Sequence, residues 1–136
     1  MRLALRVGLA ILAGIQFALG IWGQFFPESF YRDFPTVSLT PPYSEHFLRD
    51  FGGATLALGL VIAAAAVWLE KRLVMVALLA YLVFAIPHLW FHLAHLHDAS
   101  QTQVTFLLVS LGNSVLLPVA LLVLAPRALR VAPTAE

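Results

Sequence analysis

Four stretches of the chain carry no Asp, Glu, Lys or Arg: Val7–Pro27, Phe51–Leu69, Leu73–His97 and Ala99–Pro126. Each is near or above the roughly 20 residues that a helix needs to cross a hydrocarbon core. Backbone polar groups in lipid must be satisfied within the segment itself, so a helix is the solution open to a single unpaired stretch. The pattern predicts membrane helices over about 5–26, 43–69, 72–97 and 102–125. The expected fold is all-α, a four-transmembrane-helix bundle forming one integral membrane domain over residues 1–136.

Composition agrees with this. Of 136 residues, 61% are hydrophobic and 11% charged, too little charge to give a soluble domain its surface. The basic residues are scattered, which argues against a nucleic-acid partner. The absence of cysteine excludes disulfides, thiolate metal sites and covalent c-type haem attachment. Arg2 and Arg6 followed by Val7–Trp22 have the outline of a signal peptide, but the stretch is read here as the first span.

The charges also predict an orientation. Arg2, Arg6, Lys71, Arg72, Arg127 and Arg130 fall on one side of the four spans, and only Arg32 and Arg49 on the other. The positive-inside rule then places both termini in the cytoplasm of an inner-membrane, multi-pass protein. The 27–42 loop and the 97–101 turn are expected outside.

Small residues four apart mark faces where helices approach closely in lipid. Ala10, Gly14 and Ala18 do so in the first span; Gly53 with Ala57, and Gly59 with Ala63, do so in the second. Pro87 and Pro118 lie inside the third and fourth spans and should bend them. Thr40-Pro41-Pro42 reads as a helix start, with Thr40 as the cap. The loop holding Phe30, Tyr31, Arg32, Asp33, Phe34 and Pro35 is too aromatic for a free linker. It is expected to lie along the membrane interface or fold over the bundle.

Candidate chemistry collects near the outer ends of the second and third spans. Four of the five histidines lie in Pro87–His97. His88, His92 and His95 follow an i, i+4, i+7 spacing that puts them within about 60° on one helix face. Glu45, His46, Arg49 and Asp50 begin the second span at the same level. Intramembrane ionisable groups are expected to pair inside the bundle. Four readings follow. His88, His92, His95 and His46 with Glu45 and Asp50 are candidate metal ligands for Zn, Cu or Fe, with Arg49 balancing charge and Tyr31 and Asp33 contributing from the loop. A b-type haem between two histidines is a further possibility. A membrane enzyme would use the same His and carboxylate groups as acid and base on a lipid, quinone or sterol-like substrate. A structural subunit would use them only to tie helices together, with no cofactor. A homo-oligomer or a larger membrane complex is compatible with any of these.

The i, i+4 histidines resemble one histidine box of membrane di-iron enzymes, which require several. Phe30-Tyr-Arg-Asp-Phe-Pro35, Pro42-Tyr-Ser-Glu-His-Phe-Leu-Arg-Asp50 and Pro87-His-x-x-x-His-x-x-His95 resemble segments of small, mostly uncharacterised four-helix membrane proteins of actinobacteria. Helix number and chain length resemble the DoxX-like families. Some members of that grouping are tied to thiol or quinol redox chemistry, and the lack of cysteine removes the thiol version. Neither resemblance assigns a catalytic residue, and the best single reading is a small membrane binding or accessory protein.

Overall fold

The structure, a computed structural model, describes residues 1–39, 42–97 and 99–130. Among these the chain is helical: α1 Arg2–Phe25, α2 Pro27–Asp33, α3 Glu45–Trp68, α4 Lys71–Ala94 and α5 Gln101–Ala128, with one 3-10 turn at Val37–Leu39. α1, α3, α4 and α5 are long and apolar enough to cross a membrane. They match the four predicted spans with ends shifted by up to three residues. α2 occupies what the sequence suggested was loop.

Each helix end has a local cause. Ser44, in extended backbone, accepts a hydrogen bond from the Phe47 N–H at 3.4 Å and caps α3. Its hydroxyl satisfies one of the N–H groups that the first turn leaves without a partner. The predicted cap, Thr40, lies with Pro41 outside the described residues; Pro42 precedes α3 without being part of it. Ser100 and Gln103 cap α5 reciprocally, Gln103 N–H donating to Ser100 Oγ and Ser100 N–H to Gln103 Oε1.

Between α3 and α4 there are two residues. Leu69 takes the left-handed conformation (φ 51°), and its N–H donates to Ala65 O at 3.0 Å. That conformation costs a leucine about 1–2 kcal/mol, offset here because its side chain is 6% exposed. Glu70 then caps α4, accepting from the Arg72 and Leu73 N–H groups at 3.0 and 2.7 Å. Those two bonds hold its carboxyl below the usual range. Arg6 of α1 reaches across to the end of α3, donating to Ala66 O at 3.1 Å and Val67 O at 3.5 Å. A cation there serves both the unpaired carbonyls and the helix dipole.

The bundle has two unlike ends. The terminal end comprises the start of α1, the α3–α4 turn and the end of α5. Leu5, Leu9, Ile62, Ala65, Val74, Ala77, Leu78 and Ala125 are fully enclosed there, in one cluster shared by all four spans. At the loop end α1 and α3 are pressed together along Gly20, Gly23, Gly52 and Gly59. A Cβ on Gly52 would overlap the Gln24 backbone nitrogen, and one on Gly20 would stand 2.9 Å from Leu56 N. This is close approach of the kind that small residues permit in lipid. It is not the predicted set: Ala10, Gly14 and Ala18 face outward, and Gly14 has nothing within 4 Å. Gly53 meets only the end of the Gln24 side chain, so the seam runs one residue away from it. Gly59 was on the expected face and is in the seam.

Aromatic rings fill the space that the seam leaves at this end. Phe30 of α2 is 3% exposed. It meets Trp22 edge-on at 5.5 Å and Phe51 of α3 at 6.2 Å, while Phe34 reaches Phe106 of α5 at 5.7 Å. Trp22 Nε1 donates to Ser29 Oγ at 3.0 Å, and Gln103 Nε2 of α5 donates to Pro35 O at 3.1 Å. Edge-to-face rings contribute beyond simple burial, and these bonds fasten the α2 segment to α1 and α5.

Candidate functional site

α3 begins with a charged first turn because Ser44 supplies the cap and Glu45 complements the N-terminal dipole. Arg49 donates from Nε and Nη2 to Glu45 Oε1 at 2.9 and 2.8 Å, and from Nη1 to Gln24 O of α1 at 2.6 Å. His46 Nε2 stands 3.3 Å from Asp50 Oδ2. These are i,i+4 pairs on one helix, and the single link outward goes to α1. The His46 side chain is 90% exposed and that of Asp50 67%.

The loop candidates are engaged elsewhere. Asp33 accepts two bonds from Arg32, at 2.8 and 2.9 Å, and one from Ser29 at 3.0 Å. The Arg32 guanidinium holds its carboxyl below the ordinary range. Tyr31 packs edge-on against Tyr43 at 5.4 Å. The Tyr43 phenol is pushed up by partial desolvation and by the Glu45 and Glu28 carboxylates. Glu28, Arg32, Tyr43, Glu45 and Arg49 rim an open groove of about 340 Å³ beside α2.

On α4 the histidine stripe is shorter than the spacing suggested. The helix ends at Ala94, and His95 turns out of it, its N–H bonding back to His92 O. The His95 ring stacks on Phe91 at 4.2 Å, with Nδ1 2.7 Å from Phe91 O. His97 lies beyond the helix, 6.4 Å from His95 between ring centres. His88 and His92 remain in register and face inward, half-buried, with ring centres 4.8 Å apart. Pro87 sits one residue before them inside α4 and cannot supply the N–H that would bond Val83 O.

His88 and His92 extend a line of rings. Phe51 of α3 meets Phe84 at 6.1 Å, Phe84 stacks on His88 at 5.0 Å, and His88 meets His92 edge-on. Neither imidazole makes a hydrogen bond or ion pair with a described residue. Among the described residues no three His, Asp or Glu side chains stand close enough to hold a metal ion. The predicted meeting of α4 imidazoles with Glu45, His46 and Asp50 is thus not formed there: the α3 groups pair along α3, and the α4 pair turns toward aromatic rings. The physical reason is the glycine seam, which presses the start of α3 against α1, so Arg49 finds its partner in Gln24.

Sequence reasoning passed over Gln16 as one polar residue among several. It is 3% exposed in the middle of α1, beside Gly59, and makes no hydrogen bond with a described residue. Among the described residues no side-chain polar atom fully shut off from the surface lacks a partner. The Gln16 amide therefore keeps a small exposed edge. A glutamine in a run of apolar residues was the available signal.

Four membrane-length helices in one bundle make this a multi-pass helical membrane protein. No family model, curated protein or solved structure matches the chain.

Proposed function

We propose that this is a small membrane binding protein whose ligand is a flat, lipophilic molecule with a hydrogen-bonding head, of the quinone or sterol-like class. The site lies at the loop end, against Phe51, Phe84, His88 and His92. One observation carries the reading: two half-buried imidazoles without hydrogen-bond partners among the described residues continue a line of aromatic rings. A polar group at this depth needs a partner, and ligand sites are typically apolar walls with few polar groups. The Gln16 amide, 3% exposed in the middle of α1, is a second polar group without a hydrogen-bond partner among the described residues. The six basic residues at the terminal end favour a cytoplasmic orientation for it, which puts the site near the opposite surface.

The test uses detergent-purified protein and a short-chain benzoquinone, decylubiquinone, read by quenching of the three tryptophans. Saturable binding that weakens about tenfold in His88→Phe and His92→Phe, for a loss of roughly 1.4 kcal/mol, is expected. No saturable binding, or equal binding by both variants, overturns the reading. A metal reading keeps one supporting observation, the 4.8 Å i,i+4 imidazole pair. Its remaining ligands would come from a partner or from solvent. Stoichiometric metal lost in His88→Ala would favour it over the quinone class, and a Soret band would favour haem.

A further inference from the structure

α5 carries polar and small groups on a face that no other helix of this chain covers. Of its most apolar stretch 17% is buried, against 39%, 33% and 33% for α1, α3 and α4. Thr102, Val109, Asn113, Leu116 and Ala120 are all exposed and lie within about 60° of one another around the helix. Val109 is 59% exposed and Leu116 67%. An open groove of about 520 Å³ runs along the first half of this face, bordered by Thr102, Thr105, Phe106, Val109 and Ser110. Gly112 borders the face with nothing within 4 Å of where a Cβ would stand.

The Thr105 and Ser110 hydroxyls, beside this face, are satisfied within α5. Thr105 Oγ1 donates to Gln101 O at 2.9 Å, and Ser110 Oγ to Phe106 O at 2.6 Å. Asn113 is not satisfied in full. Its Nδ2 donates to Val109 O at 2.8 Å, which leaves Oδ1 and the second N–H without partners among the described residues. Asn113 points away from the bundle. It sits about 18 Å along α5 from the first helical residue, near the middle of a hydrocarbon core of about 30 Å. A carboxamide left open to acyl chains at that depth is costly.

We infer that this face of α5 is the interface between two copies of the chain, with Asn113 pairing across a two-fold axis. The occupant follows from the chemistry. The open groups of Asn113 are one donor and one acceptor, so a second Asn113 opposite complements both at once. A two-fold contact requires a surface that complements itself. Gly112 and Ala120 let the paired backbones approach, and interhelical side-chain hydrogen bonds stabilise such contacts in lipid. The open groove bordered by Thr102 and Val109 lies on the same face. The interface is independent of the ligand site proposed on α4.

The chain has no cysteine, so single-cysteine variants can be made directly and oxidised in native membranes. Thr102→Cys, Val109→Cys, Leu116→Cys and Ala120→Cys should form disulfide-linked dimers. Ala10→Cys and Ala18→Cys on α1, and Val83→Cys on α4, should stay monomeric. Cross-linking that peaks on the α1 or α4 positions overturns the proposal, as does none at any position. Energy transfer between labelled copies in liposomes tests the amide. Asn113→Leu should weaken the dimer at least about fivefold, with Asn113→Gln retaining most of it. An unchanged dimer in Asn113→Leu would overturn the pairing, and the cross-linking pattern still decides the interface should that variant fail to fold.

Discussion

The two ends of the bundle solve one problem by different means. Both must hold four helices together in lipid, where apolar side chains gain little by leaving the acyl chains. The terminal end does it with fitted aliphatic side chains: Leu5, Leu9, Ile62, Val74 and Leu78 are enclosed completely. The loop end does it with a glycine seam on one side and a line of aromatic rings on the other. No residue of α4 beyond Ala85 is fully buried. The first end is closed over its aliphatic side chains. The second keeps the His88 and His92 imidazoles without hydrogen-bond partners among the described residues, and it is the end where the proposed ligand would sit.

The sharpest way to break this comparison is to spoil the seam. Gly52→Val should prevent α1 and α3 from meeting, because the new Cβ overlaps the Gln24 backbone. The loss is expected to be at least about 3 kcal/mol. The same change at Gly14, where nothing lies within 4 Å, should stay within about 0.5 kcal/mol. Thermal unfolding in detergent, followed by tryptophan fluorescence, measures both. If the two glycines prove equally sensitive, the seam is misplaced.

Next comes a direct contrast of the ends. Leu9→Ala removes a fully enclosed side chain and should cost about 2–3 kcal/mol. His88→Ala, at the half-buried loop end, should cost less than about 1 kcal/mol while abolishing ligand binding. Equal losses in unfolding midpoint would erase the distinction between a structural and a receiving end. A smaller loss is expected for Arg6→Ala, about 1 kcal/mol, since it removes the donor to the Ala66 and Val67 carbonyls.

The smallest effect is pH-dependent. The Glu70 carboxyl titrates below its usual value of 4.5 because the Arg72 and Leu73 N–H groups bond its charged form. A lowered folded pKa gives stability that is present above the unfolded value and fades as pH falls through the folded one. Wild type should therefore exceed Glu70→Gln in unfolding temperature near pH 6. The difference should close as the pH is taken below 4.5. A gap that persists at pH 3 would mean that the cap does not depend on its charge.

The spans were legible in the sequence because a charge-free run of membrane length has few other solutions, and their observed ends follow local capping chemistry. The seam was not. Every small residue is visible in the sequence, but which of Gly52 and Gly53 meets α1 depends on a helix rotation that an almost wholly apolar span does not record. The histidine stripe failed for a related reason. The spacing of His88, His92 and His95 implies one face only while the helix continues, and α4 stops at Ala94. Convergence of α3 and α4 was inferred from the cost of lone charges in lipid; Arg49 met that cost through Gln24 O of α1 instead. That Asn113 faces away from its own bundle is visible only in the fold.

The brevity of the link between α3 and α4 has a mechanical consequence. Leu69 and Glu70 leave three Cα–Cα steps between the helix ends, at most about 11 Å when fully extended, about half the roughly 20 Å between axes that a third helix of about 10 Å diameter would require. No foreign helix can wedge between the two spans at that point, and they cannot drift apart there. Any widening of the space in front of His88 must be a scissor motion pivoting on this turn, with the far tips of α3 and α4 travelling most.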